Sequence, residues 1–459
     1  MFLKDKVIDF SFRLIFYLFL VLLPGLIKAQ NPISPPGIYL ADPSARSWND
    51  SILYLYTSTD LSCDFWCSWK HDILSTTDMK IWNVASDVFA SDGKNDEVLY
   101  NDKLLFAPDC AKKGNNYILY YCQPDNNNAL GTALGESAIG PFENGQILNT
   151  GEKYSQIDPS VFIDEDSTAY VVWGQGDMKM GILNPDMRTI DTNTIRDKVI
   201  TVSEHYFHEG AYMTKRNGIY YLVYADESRN KVPSCLGYAT SDNPFGPYIY
   251  RGVIIDNSGC NPGNWNNHGS IFNFQDQWYV FYHRSTHGCQ MFRKSCVEKI
   301  QFLSDGSIPE VEMTTQGALP PLDATKIIDA ERACSMKGNV RIEKESESNE
   351  ILSEMKGGDQ VVYRYLDFSA GVNRFSLKYR ALGRKGTLLL YVEQGGQRRK
   401  IAEIKLEESK ESAWVEESFK VKKTKGIAEL IFEVSGDGSS DFEIDWFRFA
   451  EKVPMCHRL

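Results

Sequence analysis

The chain has 459 residues, of which 42% are hydrophobic, 12% aromatic and 24% charged, a globular rather than a disordered or fibrous composition. That length allows about two or three domains, each with its own core. Against 61 Asp and Glu stand 49 Lys and Arg, giving −12 with no basic tract, which argues against nucleic acid and anionic membrane surfaces as partners.

Residues 1–29 read as a signal peptide. Lys4, Lys6 and Arg13 precede the apolar run LIFYLFLVLL at 14–23, and Pro24, Gly25 and Ala29 follow. The run is shorter than the roughly 20 residues needed to span a bilayer. The expectation is a secreted protein, periplasmic or extracellular if bacterial, with no membrane attachment after cleavage. Ten Cys in an exported chain permit disulfides, although their connectivity cannot be read from spacing. Cys63 and Cys67 lack the second pair of a zinc pattern.

Five aromatic, β-branched runs follow: ILYLYTS (52–58), YILYYC (117–122), AYVVWG (169–174), IYYLVYA (219–225) and WYVFYHR (278–284). Each comes after a turn cluster such as Lys113-Gly114-Asn115-Asn116, a hairpin signature. Their recurrence at roughly 50–65 residues predicts one four-stranded propeller blade per repeat. Upstream of each run lies a short polar motif: ADPS (41–44), APDC (107–110), IDPS (157–160), HEGA (208–211) and NHGS (267–270). If that motif opens the innermost strand of each blade, Asp42, Asp158, Glu209 and His268, with Asp109 nearby, converge on one end of one axis.

Residues 317–323, GALPPLD, read as a linker. Beyond it come QVVYRYL (360–366), RFSLKYR (374–380), TLLLYVE (387–393), AELIFEV (428–434) and FEIDWFRF (442–449), which predict an antiparallel β-sandwich. The charge run at 343–354 reads as a solvated loop. The predicted fold is all-β: a five-bladed β-propeller over 30–320, then a jelly-roll-like β-sandwich over 325–450.

Carboxylates facing one another in a funnel suit glycosidic cleavage. One protonates the leaving oxygen, another takes a proton from water, and a third tunes the acid. Alone, each of Asp42, Asp158 and Glu209 reads as a turn opener or a solvated acid. Their shared register in separate repeats joins them.

With ADPS, IDPS, HEGAY, NNHGS and FYHR in this order, residues 30–320 resemble glycoside hydrolase family 43. The resemblance implies a five-bladed inverting glycosidase with Asp42 as general base, Asp158 as orienting acid and Glu209 as general acid. It implies that His268 lies beside a calcium or other ion in the channel and that Arg284 binds sugar hydroxyls. Trp66, Trp173, Phe207 and Trp265 are candidate sugar-stacking walls. The C-terminal segment resembles a family 6 carbohydrate-binding module through IDAE (328–331) and IDWFRF (444–449). That resemblance makes Asp329, Glu331 and Asp445 candidate ligands of a structural calcium and Trp414 a candidate cleft aromatic. No cofactor is expected for catalysis. The expected substrates are α-L-arabinofuranosides or β-D-xylosides of plant cell-wall polysaccharide or its oligosaccharides, cleaved by a monomer. The alternatives are a β-D-galactosidase or galactanase of this fold, a retaining five-bladed enzyme of the sucrose-cleaving type, and a non-catalytic glycan-binding protein.

Overall fold

The structure is a computed structural model that describes residues 30–451 apart from 125–128, 152–155, 230, 370, 382–384, 410–412 and 437–440. The signal-like segment and Cys456 lie outside the described residues.

Four antiparallel four-stranded sheets and one of three strands follow in chain order. Blade 1 is Leu40–Ser47, Leu53–Thr59, Lys70–Thr76 and Asn83–Ala90; blade 2 is Phe106–Lys113, Asn116–Gln123, Ala129–Gly135 and Phe142–Leu148. Blade 3 is Ser160–Ile163, Ala169–Trp173, Lys179–Leu183 and Ile190–Arg196; blade 4 is Phe207–Arg216, Ile219–Asp226, Cys235–Ser241 and Ile249–Asp256. Blade 5 has only Ser270–Phe274, Gln277–Thr286 and Cys289–Ile300, one strand fewer than the repeat predicts. Its outer edge is met by the N-terminal segment instead. Ile33 N–H donates to Ser295 O at 2.8 Å, and the Asn31 amide exchanges bonds with Val297 at 2.9 and 3.0 Å.

The first strands of the five blades touch one another in a closed ring. The second strands are the aromatic runs. They are covered on both faces by neighbouring blades, so their continuous apolar character is a burial signal. Tyr56 and Tyr120 are fully buried and still satisfy their hydroxyls, on Ala138 O at 2.7 Å and Met187 O at 2.6 Å.

One buried ion pair plugs the axis. Arg46 of blade 1 clamps Asp109 of blade 2 through Nε at 2.8 Å and Nη2 at 2.5 Å. Asp109 also accepts from Ser44 Oγ at 2.7 Å and, in blade 3, from Ser160 Oγ at 3.0 Å and Val161 N at 2.7 Å. Arg46 reaches Tyr212 Oη of blade 4 at 2.7 Å. Four blades thus meet on two side chains. Cys63 of blade 1 is disulfide-bonded to Cys289 of blade 5 across 226 residues of chain.

The C-terminal domain packs two sheets face to face. One runs in the order Leu322–Asp323, Gln360–Asp367, Ile427–Ser435, Gly386–Gln394, Gln397–Leu406, with Ser335–Lys337 beside the second strand. The other runs Arg341–Ser346, Asn349–Met355, Phe442–Ala450, Val372–Ala381, Val415–Thr424, with Ile328–Asp329 beside the third. Tyr363, Phe375, Phe432, Phe447 and Phe449 fill the space between them. The charge run at 343–354 is a strand hairpin rather than a solvated loop. Ile342 and Leu352 turn into the core, and of the acids Glu345 and Glu347 are exposed while Glu350 is buried.

The supposed linker is built into a domain junction, with Gly317, Ala318 and Leu322 buried. Across that junction Lys294 pairs with Glu350 at 2.5 Å, both buried, and Arg332 donates to Pro32 O at 2.6 Å.

Two stability outcomes follow. Asp109→Ala leaves a buried guanidinium without its counter-charge, so urea unfolding should show a loss of about 3–5 kcal/mol. Replacing Cys63 and Cys289 together by Ser releases a long loop and should cost about 2–5 kcal/mol in the same measurement.

Candidate active site

The repeated motif opens each inner strand with an irregular turn. In blades 1, 2, 3 and 4 a residue takes a left-handed backbone: Asp42 (φ 53), Ala107 (φ 33), Asp158 (φ 55) and Gly210 (φ 69). The strand register slips at these points in blades 1, 2 and 4, a bulge that re-aims side chains. Asp tolerates this conformation better than most residues, and strain of this kind concentrates at functional sites.

The alignment also explains Asp109. In blade 2 the turn position belongs to Ala107. Asp109 stands two residues further on, where blades 1 and 3 have Ser44 and Ser160, and is consumed by the axial ion pair. Glu209 precedes the left-handed residue instead of occupying it. Gly210 is required here, because a Cβ would come within 2.7 Å of the His268 ring.

These turns deliver Asp42, Asp158, Glu209 and His268 to one cavity of about 180 Å³, walled by Trp66, Phe106, Ile157 and Trp265. Further along the axis a second small void, lined by Asp42, Ser44, Asp109 and Asp158, separates it from the Arg46–Asp109 pair. His268 Nδ1 lies 3.4 Å from Asp42 and 3.8 Å from Asp158. Glu209 accepts from Gln175 Nε2 at 2.8 Å, and the neighbouring His208 is held by Glu227 at 3.2 Å. Trp265 meets Trp66 at 6.1 Å and His208 at 5.5 Å between ring centroids.

Sequence reading missed the residue that dominates the electrostatics. Arg293, in the last strand of blade 5, donates from Nη1 to Asp42 at 2.8 Å and grips Asp60 from Nε at 2.9 Å and Nη2 at 2.8 Å. It is buried, with Trp66 over its guanidinium at 4.8 Å. His283 completes the cradle: Asp42 N–H donates to its Nδ1 at 3.3 Å, and its Nε2 meets Asn266 Oδ1 at 3.1 Å.

Burial opposes charge on Asp42, yet Arg293 outweighs it, helped by His268 and His283, and holds Asp42 well below the usual carboxylate range. Asp158 moves the other way, pushed up by burial and by Glu209 and Asp42, with His268 opposing. Burial pushes His268 down, but Asp158 and Asp42 overcome it and raise the imidazole to about 9. The site therefore holds an ionised Asp42 beside an imidazolium.

Three expected sugar ligands are elsewhere. Arg284 faces away from the cavity, bonded to Tyr282 Oη at 2.6 Å and Thr314 O at 2.7 Å, with Glu298 at 3.5 Å. Strand alternation is the reason: His283 faces the site, so its neighbour cannot. Arg293 pairs with Ser285, on the face His283 shares, and that cross-strand register was the missing signal. Trp173 and Phe207 are fully buried in hydrophobic clusters between blades.

At the expected calcium positions His268 and Asp445 have partners within the chain, while Glu331 Oε2 is buried without one. His268 Nδ1 faces both Asp42 and Asp158. In the sandwich, Asp445 is taken by Lys378 at 2.7 Å and Asn349 at 3.1 Å. Burial pushes Asp329 and Glu331 toward their neutral forms. Among the described residues no group of three His, Cys, Asp or Glu side chains is placed to hold a metal ion. Trp414 is also occupied, with Arg380 at 4.5 Å and Lys378 at 5.4 Å from its ring centre and its indole N–H on Glu345 at 3.1 Å.

The acid-lined pocket thus opens on the axis of a five-bladed propeller. The family model "Glycosyl hydrolases family 43" matches residues 29–308, and "Carbohydrate binding module (family 6)" matches 329–451. The chain belongs to glycosyl hydrolase family 43 and is a glycosidase carrying a C-terminal carbohydrate-binding module. It is 30% identical to a "Xylosidase/arabinosidase" of Thermoclostridium stercorarium over 67% of this chain and 72% of that protein. It is 25% identical to the "Arabinoxylan arabinofuranohydrolase" of Bacillus subtilis over 90% and 91%. Among solved structures, the GH43_1 enzyme of Xanthomonas citri complexed with xylose matches with a TM-score of 0.53 at 27% identity, covering 61% of this chain and 94% of that one. A β-xylosidase/α-arabinofuranosidase from a compost metagenome, in complex with xylotriose and described as a calcium-free form, matches with a TM-score of 0.52 at 26% identity, covering 62% and 98%.

Removing the Arg293 charge should let the Asp42 pKa rise. Arg293→Met should move the acid limb of the kcat/KM profile to higher pH by about 1–3 units. An acid limb unchanged from the parent would show that Arg293 does not govern the ionisation of Asp42.

Proposed function

We propose that the protein is an exported, inverting glycosidase that removes terminal α-L-arabinofuranosyl or β-D-xylosyl units from plant arabinoxylan or its fragments. The observation that carries this reading is the small acid-lined cavity in which Asp42 is held ionised while Glu209 stands on a different blade. At about 180 Å³ it is smaller than the ~300–1,000 Å³ of typical small-molecule sites, in keeping with one sugar ring at a chain end.

In this mechanism Asp42 takes a proton from a water molecule whose oxygen attacks the anomeric carbon. The bond from that carbon to the glycosidic oxygen breaks, and Glu209 gives its proton to the departing oxygen. Gln175 orients the Glu209 carboxyl, while Asp158 and His268 stand between acid and base. Single displacement requires about 6.5–9.5 Å between the two carboxyl groups, room for the water. The names borne by the relatives support the choice of pentosides. Export is supported by the signal-like segment and by a disulfide, which persists in an oxidising compartment.

The test is hydrolysis of aryl α-L-arabinofuranoside, β-D-xyloside and β-D-galactoside by the mature protein. Cleavage of one of the two pentosides should fall about 10²–10⁴-fold in Asp42→Ala. Glu209→Gln should lose a similar factor on a natural oligosaccharide, whose leaving group needs the proton. NMR should show the first-formed sugar with inverted anomeric configuration. Retention, or a Glu209→Gln variant with near-parental activity on the oligosaccharide, would overturn the assignment.

A further inference from the structure

The pocket end of the propeller carries an aromatic shelf that the chemistry above does not use. Leu40 pairs with Thr59, so the connection at 60–69 emerges beside the turn that bears Asp42. This loop sends Trp66 into the cavity and Asp60 beneath Arg293. On either side of Trp66, two further aromatics stay at the surface. Trp69 is 37% exposed and Phe65 is half-buried, their rings 5.7 Å apart at 64°. Leu61 from the same loop and Leu99 from the connection to blade 2 are also exposed, Leu99 at 89%.

The shelf is held in place. Trp69 Nε1–H donates to Asp102 O at 3.1 Å, and Trp69 O accepts from Ser91 N at 2.9 Å. Ser68 bridges to Leu105, the residue before the pocket-lining Phe106. Cys63 ties the loop to blade 5. The shelf is therefore tied along the chain to two residues that line the pocket, Trp66 and, through the Ser68–Leu105 bridge, Phe106. Scattered surface apolar residues need no explanation, but paired aromatics fixed on the same loop that sends Trp66 into a binding cavity mark an interaction surface. A flat aromatic ring suits the C–H face of a sugar ring while leaving the sugar's hydroxyls in water.

We propose that Phe65 and Trp69 form a platform for the sugar residues beyond the scissile bond, so that the main chain of the polysaccharide is held there while its terminal pentose fills the pocket. The proposal rests on the pentosidase reading of that pocket. It makes these two residues determinants of preference for polymer over small glycoside.

The experiment compares Phe65→Ala, Trp69→Ala and their double variant with the parent, in the full mature chain. Each is assayed on the aryl pentoside that the parent cleaves and on arabinoxylan. The double variant should keep kcat/KM on the aryl pentoside within about twofold and lose about tenfold or more on arabinoxylan, chiefly through KM. Affinity electrophoresis in arabinoxylan, with every variant placed in a Glu209→Gln background, reads binding without turnover, and there the double variant should be less retarded. An equal loss on both substrates would show that the loop merely supports the pocket, and no loss on either would show an idle surface; both overturn the proposal. A parent dimer, seen by light scattering and lost in the double variant, would assign the shelf to a second copy and overturn it too. A parent inactive on every glycoside would instead refute the pocket reading, a distinguishable result.

Discussion

The buried pair of Arg46 and Asp109 is the constraint around which the propeller is arranged. Five sheets set around an axis leave a channel, and a channel lined by strand ends carries polar groups that need partners. Here one guanidinium and one carboxylate satisfy each other and reach into four blades, through Ser44, Ser160, Val161 and Tyr212. A buried pair of this kind gives geometric definition more than net stability, since desolvation offsets much of its attraction. The definition is what the site needs. Inner strands held at one level present Asp42, Asp158 and Glu209 at one level too.

Above the plug, charge is balanced rather than merely collected. Four carboxylates, Asp42, Asp60, Asp158 and Glu209, approach a space that holds one arginine and one protonated histidine. Arg293 is shared between Asp42 and Asp60, so it keeps Asp42 ionised without being free to neutralise Glu209. His268 stands between Asp42 and Asp158. Like charges brought this close spread their proton affinities apart, which assigns different duties to chemically similar groups.

The last strand of blade 5 links this site to the second domain. Its residues alternate in direction: Arg293 enters the pocket, and Lys294 turns outward to Glu350 of the sandwich. The N-terminal segment, the junction at 317–323 and the start of the sandwich all pack against the same blade edge. The carbohydrate-binding module is thus a structural neighbour of the catalytic strand. Within it, Trp414 packs against Arg380 and Asp445 pairs with Lys378.

The sequence by itself determined the all-β character, the fivefold repeat, the sandwich and the convergence of Asp42, Asp158, Glu209 and His268. Those features are written locally, in hairpin turns, in aromatic strands buried on both faces and in one polar motif repeated at blade spacing. The three-stranded fifth blade, the buried junction, the disulfide partner of Cys63, the fate of Asp109 and the exchange of Arg284 for Arg293 were decided by the tertiary structure. Each depends on strand register or on a contact between distant segments. A shift of one residue sends a side chain to the opposite face of a sheet, and no pattern confined to a single strand records which face its neighbour will cover.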